Sequence, residues 1–244
     1  MAARETVLIV GATGNIGIAA VLGALRAQLS VLAIVRNQTS ADKLFQHIGT
    51  QQYVTVVEAD ITSDQGVQGV VEQVKAGKLP SFQHVYAAAG GAYWTTPLKD
   101  LSTQALREFM NVNFETNFFA YRATIPYLLE QNADNSSWTL CTGSQGDLGL
   151  RAAPAISQGA LFSMASAAAR ENVETNIRFN EVYLACRVEV DESAEKTGAM
   201  RASRFADHYE TVLSRPEIRG CRISVFGDGD LRELRCETKI KNPG

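Results

Sequence analysis

The first chemical signal lies close to the N-terminus. Gly11-Ala12-Thr13-Gly14-Asn15-Ile16-Gly17 follows the apolar run Thr6–Val10 and opens a helical pattern, so its glycines fall as G-x-x-G-x-x-G between a strand and a helix. That context predicts a dinucleotide-binding turn. Gly11 permits the tight turn, Gly14 lets the backbone approach a pyrophosphate, and Gly17 lets the helix pack close to the strand. With Thr13, Asn15 and Ile16, these residues form a loop whose first helical N–H groups face the phosphates. A second signal stands at the end of the next strand, where an acidic side chain would accept from the adenosine ribose and repel a 2′-phosphate. The chain has Val35-Arg36-Asn37 there. A guanidinium at Arg36 can fork onto a 2′-phosphate, which favours NADP(H) over NAD(H).

Competing chemistries are weakly represented. Cys141, Cys186, Cys221 and Cys236 form no CxxC pair and flank no histidine at metal-ligand spacing; they read as free thiols, and no metal site is expected. His47 and His84 read as structural. The formal net charge of −3 invites neither nucleic acid nor an anionic membrane. No apolar run approaches the roughly 20 residues a membrane-spanning helix needs, and the short polar start does not read as a signal peptide. A cytoplasmic protein is expected.

These groups need a scaffold, and the residue pattern supplies an α/β one. The length of 244 residues, 45% hydrophobic and 20% charged, suits one domain spanning 1–244. Strands are predicted at 6–10, 30–35, 53–58, 83–88, 138–141, 177–185 and 221–226. Helices are predicted at 14–28, 40–48 (capped by Ser40), 63–75 (capped by Ser63), 102–130, 155–172 and 203–214. Apolar strands alternating with helices imply a parallel sheet of about seven strands covered on both faces, the doubly wound Rossmann arrangement. The small-residue helix 155–172 is a candidate dimer seam. The segment 227–244, with charge and glycine but little apolar pattern, is expected to be mobile.

With the glycine loop in place, further segments resemble the short-chain dehydrogenase/reductase family over nearly the whole chain. Asp60, in Ala59-Asp60-Ile61-Thr62, matches the aspartate that holds adenine. Ala87-Ala88-Ala89-Gly90 stands where the family has N-N-A-G. Asn113 matches the helix asparagine of the catalytic tetrad, and Ile177-Arg178-Phe179-Asn180-Glu181-Val182 is similar to the strand I-R-V-N-x-V. The resemblance implies the fold above, a bound dinucleotide with Ile61, Ala88, Ala89 and Gly90 along it, and a homodimer. One segment departs. Ser157-Gln158-Gly159-Ala160-Leu161 aligns with S-K-G-A-L, which puts Gln158 in place of the lysine of Y-x-x-x-K and Pro154 in place of its tyrosine. The loop after the sixth strand carries Leu184-Ala185 in place of P-G.

In the family the tyrosine exchanges a proton with the substrate oxygen, helped by the lysine ammonium. Proline has no such proton, and Gln158 has no charge, although its amide can still reach the nicotinamide ribose. Ser144 and Asn113 remain to orient a substrate oxygen or a water. Asp147, in the altered loop, is the candidate general acid or base. Tyr93, Trp94, Thr95, Arg151, Cys186, Arg187, Glu189 and Asp191 are expected around the pocket. Three functions follow as expectations. The first is a non-redox enzyme acting on a small organic molecule. The second is an NADPH-dependent carbonyl reductase with an unusual proton donor. The third is a non-catalytic NADP(H)-binding subunit.

Overall fold

The computed structural model describes residues 4–91 and 93–240. From the N-terminus run β1 (Thr6–Val10), α1 (Asn15–Arg26), β2 (Ser30–Val35), α2 (Gln38–Ile48), β3 (Val54–Glu58), α3 (Gly66–Lys75) and β4 (His84–Ala87). The middle holds α4 (Thr103–Met110), α5 (Thr116–Gln131), β5 (Ser137–Gly143), α6 (Gln145–Leu148), α7 (Ala152–Glu171) and β6 (Arg178–Leu184). The remainder is β7 (Val188–Glu189), α8 (Asp191–Thr197), β8 (Met200–Arg201), α9 (Ala202–Leu213), β9 (Cys221–Val225) and β10 (Arg235–Thr238).

Eight strands form one sheet in the order β10-β9-β6-β5-β4-β1-β2-β3, parallel except where β10 pairs antiparallel with β9. The chain leaves β1 in one direction through β2 and β3, then returns to β4 on the other side of β1. Strand order therefore reverses between β1 and β4, and a doubly wound sheet opens its ligand crevice there, at the carboxyl ends.

Alternation along the strands builds two cores. Val7 and Ile9 of β1 join Ala33, Tyr86 and Val182 beneath α1 and α9. Leu8 and Val10 join Leu32, Val85, Trp138 and Phe179 beneath α3, α5 and α7. Both faces of the inner strands β1, β2 and β4 are buried, which is why they read as continuous apolar runs.

Several elements differ from the sequence expectation. Residues 102–130 are not one α-helix: α4 and α5 are joined by a π-helical turn, Asn111–Glu115. Helix α2 starts at Gln38 because the Asn37 side chain, not Ser40, caps it, accepting from Ser40 N at 3.0 Å. Helix α3 starts at Gly66 because residues 60–66 first close turns, Ser63 N onto Asp60 O and Gly66 N onto Ser63 O. The segment 227–240, read from sequence as a mobile tail, carries regular structure. Within 227–240, Asp228–Leu231 forms a short 3₁₀ turn with Asp230 buried, and β10 extends the sheet. All four β10 side chains are exposed, so no apolar alternation marks it. Backbone bonds and charge hold it instead: Asp230 accepts from Phe226 N at 2.8 Å and pairs with Arg235, while Lys239 pairs with Glu181. Residues 241–244 of that expected tail lie outside the described residues. No described helix is long and apolar enough to cross a membrane.

Candidate cofactor crevice and active site

The three loop glycines answer to different constraints. Gly11 has φ +84°, and a Cβ there would stand 2.8 Å from Ala88 O, the carbonyl just beyond β4. A Cβ on Gly17 would stand 2.1 Å from Gly11 O, so the loop and helix α1 close only around glycine. Gly14 has φ −80° and ψ 166°, and its nearest neighbour would be Gly11 O at 3.5 Å. Neither backbone nor packing requires glycine at 14. The bare backbone there leaves room for something outside the protein. Helix α1 begins without a side-chain cap and without an acidic residue in its first turn. Its uncapped N–H groups therefore face the crevice mouth, a setting that suits an anion. Asn15 is otherwise engaged: its Oδ1 accepts from Val190 N at 3.1 Å and ties the segment after β7 to the loop. Thr13 and Ile16 flank it, each half-buried.

Arg36 is exposed at the end of β2 and lies within Coulombic reach of Asp60. The Asp60 carboxyl is held below its usual range, chiefly by the Thr62 hydroxyl at 2.7 Å and the Thr62 N–H at 3.0 Å, with Arg36 adding a smaller push. A fixed anionic acceptor and an exposed guanidinium thus stand near each other beyond β2 and β3. Ile61 packs below them on the α3 side.

After β4, Ala88 N is held by Val10 O, and Ala89 O accepts from Asn117 Nδ2 at 3.0 Å. Gly90 has φ +130°, and a Cβ there would stand 2.9 Å from Asn113 Oδ1. Asn113, buried in the π-helical turn, accepts from Gly91 N at 3.0 Å and donates to Phe109 O at 2.9 Å. Its amide clamps the loop after β4. The widened helical turn is what brings it there, and π turns recur at functional positions.

Gln158 Oε1 accepts from Gly143 N at 2.6 Å, tying α7 to the end of β5. Pro154, one turn earlier, is buried and offers no proton. Ser144 caps α6 through its backbone carbonyl and donates its N–H to Leu184 O at 3.1 Å. Asp147 faces elsewhere. Its carboxylate lies 3.6 Å from the Arg222 guanidinium, toward β6 and β9, and close enough to the Tyr183 phenol to add to the upward pKa shift that burial causes there. Among the described residues no hydrogen bond joins the side chains of Asn113, Ser144 and Asp147. Beside Asp147, the fully buried Glu181 gathers Thr142 Oγ1 at 2.8 Å, Arg222 Nε at 3.0 Å and Lys239. Sequence reading had no signal for this network, because its members come from β5, β6, β9 and the segment after β10.

Of the remaining pocket candidates, Tyr93 is largely exposed and stands beside Arg151. The Arg151 guanidinium lies 5.7 Å from its ring centre. Partial desolvation by its neighbours pushes the phenol's pKa up, while Arg151 and Arg187 pull the other way. Trp94 instead packs edge-on against Phe109, centroids 5.2 Å apart. Burial pushes the Cys186 thiol up and the Cys141 thiol to about 12, so neither is poised as a thiolate. Glu189 accepts from Thr197 Oγ1 at 2.6 Å, and Asp191 accepts from Ser203 N at 3.0 Å, so these acids brace their own segment. No group of His, Cys, Asp and Glu able to hold a metal occurs among the described residues.

Comparison with known proteins agrees with this geometry. The family model for short chain dehydrogenase matches residues 5–197. The chain is 55% identical to the short-chain dehydrogenase/reductase iacG of Pestalotiopsis fici, over 98% of each. Solved structures share the fold at lower identity. A short-chain dehydrogenase from Shigella flexneri complexed with NADP has TM-score 0.75 at 20% identity, covering 90% of this chain and 96% of that one. ElxO with NADP bound has TM-score 0.79 at 15% identity, covering 91% and 97%. On the family match along most of its length, the crevice geometry and the 55% identical relative, the chain belongs to the short-chain dehydrogenase/reductase family.

Proposed function

We propose that the chain binds NADP(H) in the β1/β4 crevice and directs a non-redox conversion of a small organic molecule, an isomerisation, cyclisation or dehydration, at the carboxyl ends of β4 to β6. The phosphates would meet the first turn of α1 over Gly14, Arg36 would take the 2′-phosphate, and Asp60 the adenine. Two structural relatives with NADP support that cofactor. Bound there, NADPH supplies a hydride to a suitably placed carbonyl. Such a reduction also needs a proton at the carbonyl oxygen. The observation that carries the non-redox reading is the pair at that point: a buried Pro154 without a proton and a neutral Gln158 whose amide oxygen is held by Gly143 N. What remains is a shaped pocket with oriented polar groups, which can speed a reaction by positioning and electrostatics. The test is product formation from candidate substrates with the NADPH absorbance followed in parallel. Product without NADPH loss is expected, and one NADPH consumed per product would overturn it.

The Tyr93–Arg151 contact favours a second reading, a reductase in which the Tyr93 phenol gives the proton. It predicts a primary isotope effect with deuterated NADPH and loss of turnover in Tyr93→Phe with NADPH binding intact. We also propose that two copies associate through α5 and α7, where Phe118 and Ile156 are each 39% exposed. Sedimentation of Ile156→Lys against the unmodified chain tests this, with a shift to monomer expected.

A further inference from the structure

A cleft of about 1100 Å³ lies between the end of α1, the segment from Cys186 to Arg204, and the turn at Asp228–Arg232. Five arginines line it: Arg26, Arg187, Arg201, Arg204 and Arg232. Its lining carboxylates are three, Asp207, Glu210 and Asp228. Three guanidinium groups converge on the single Asp207 carboxylate, Arg26 and Arg204 at 2.7 Å and Arg232 at 3.0 Å. Arg204 also holds Asp228 at 2.8 Å. Those three cations therefore share two carboxylates. Arg187 and Arg201, on the other wall, each pair with one acid that does not line the cleft, Glu189 and Glu195.

Hydrogen-bonding capacity leads to the same place. A guanidinium carries five N–H donors. Arg26, Arg187, Arg201 and Arg232 each reach a single carboxylate among the described residues. Most of their donors are left to whatever fills the cleft. Cys186 and Met200 add apolar surface between the charged walls. The space exceeds what an inorganic ion needs and suits a drug-sized molecule.

We propose that this cleft is a binding site for a small organic anion bearing two or more carboxylate or phosphate groups, held by forked contacts from Arg26 and Arg232 on one wall and Arg187 and Arg201 on the other. The inference stands apart from the cofactor reading, since it uses neither the glycine loop nor Arg36.

Calorimetric titration of the full chain in saturating NADP+, which occupies the proposed cofactor crevice, with citrate, and separately with inorganic pyrophosphate, tests it at constant ionic strength. Saturable one-to-one binding of at least one probe is expected; tighter binding of one identifies carboxylate or phosphate as the preferred group. Arg201→Gln/Arg232→Gln should weaken binding by roughly tenfold or more, since it removes charge-assisted contacts from both walls. Both side chains are more than half exposed, so the fold should hold; Arg187→Gln is an independent variant if the double one does not fold. Arg36→Ala should leave binding unchanged. Unaltered affinity in the cleft variants, loss in Arg36→Ala alone, or no saturable binding of either probe would overturn the site.

Discussion

Gly14 and Gly17 sit three residues apart in one motif, yet substitution should separate them. Gly17→Ala drives a Cβ to 2.1 Å from Gly11 O, with Ala12 backbone at 2.8 Å. Backbone cannot swing aside as a side-chain end can, so the protein should lose about 3 kcal/mol or more, at the upper end for overpacking. Gly14→Ala meets its nearest atom at 3.5 Å in a conformation open to any residue. Its stability should fall by no more than about 1 kcal/mol, the cost of alanine in place of glycine at an N-cap, while NADPH affinity falls by about tenfold because the methyl stands in the proposed path of the phosphates. Thermal melts and a binding titration read the two effects apart. Arg36→Ala should weaken NADPH by about tenfold and leave NADH nearly unchanged, the loss of a charge-assisted contact to a single phosphate. Equal losses for both cofactors would show that Arg36 does not read the 2′-phosphate. The glycine motif was legible in the sequence because spacing and flanking pattern coincide. The spacing also suggested which glycine packs and which meets a ligand; how tightly the loop closes on Gly11 and Gly17 was not legible, since that depends on where Gly11 O and Ala88 O fall once the strand and helix have closed.

At the scale of elements, legibility followed the source of the stabilisation. Strands β1, β2 and β4 to β6 are buried on both faces or nearly so, and apolar burial writes itself into residue type. Strand β10 is held by hydrogen bonds to β9 and by pairs formed across long sequence separation, such as Lys239 with Glu181, and these leave no local period. The π turn at Asn111–Glu115 is similarly silent in sequence, because one added residue in a helical turn barely alters amphipathic spacing. Asp147, read from its place in a loop as an acid or base, has its direction set by Arg222 and Tyr183 on neighbouring strands. The Glu181 network makes a prediction of its own. Lys239→Met leaves a fully buried carboxylate with Arg222 and Thr142 but without its second cation. Removing one partner of a buried ion pair costs about 3–5 kcal/mol, and the surviving Arg222 puts this case near the lower figure. Lys239→Met/Glu181→Met should recover part of that loss, because it removes the stranded charge as well. A denaturant series on the two variants decides it: a double variant no more stable than the single one would mean the pair contributes through packing alone.

For the molecule as a whole, the layer beneath α1 and α9 contains a titratable group that links global stability to pH. His208 is fully buried, stacked on Phe205 with centroids 5.4 Å apart and planes 5° from parallel, and neither ring nitrogen has a partner among the described residues. Burial lowers its pKa to about 4, against a small opposing effect of Asp230. The unfolded chain binds the proton near pH 6.5, so between pH 6.5 and 4 the unfolded state carries more protons than the folded one. The contribution of neutral His208 is therefore complete above pH 6.5 and is lost as pH falls toward 4. From the two pKa values the loss reaches about 2 kcal/mol at pH 5 relative to pH 8. The carboxyls of Glu5 and Asp230 are held below their usual ranges, so acid also works against the fold through them. Their effect falls at lower pH and is common to wild type and variant. His208→Phe keeps a planar ring against Phe205 and removes the titration. Its urea midpoint should fall less than that of wild type between pH 7 and pH 5, and the gap between the two curves should stop changing with pH above pH 7. Parallel curves over that range would mean that the imidazole gains a partner or water on folding and is not held neutral by the core.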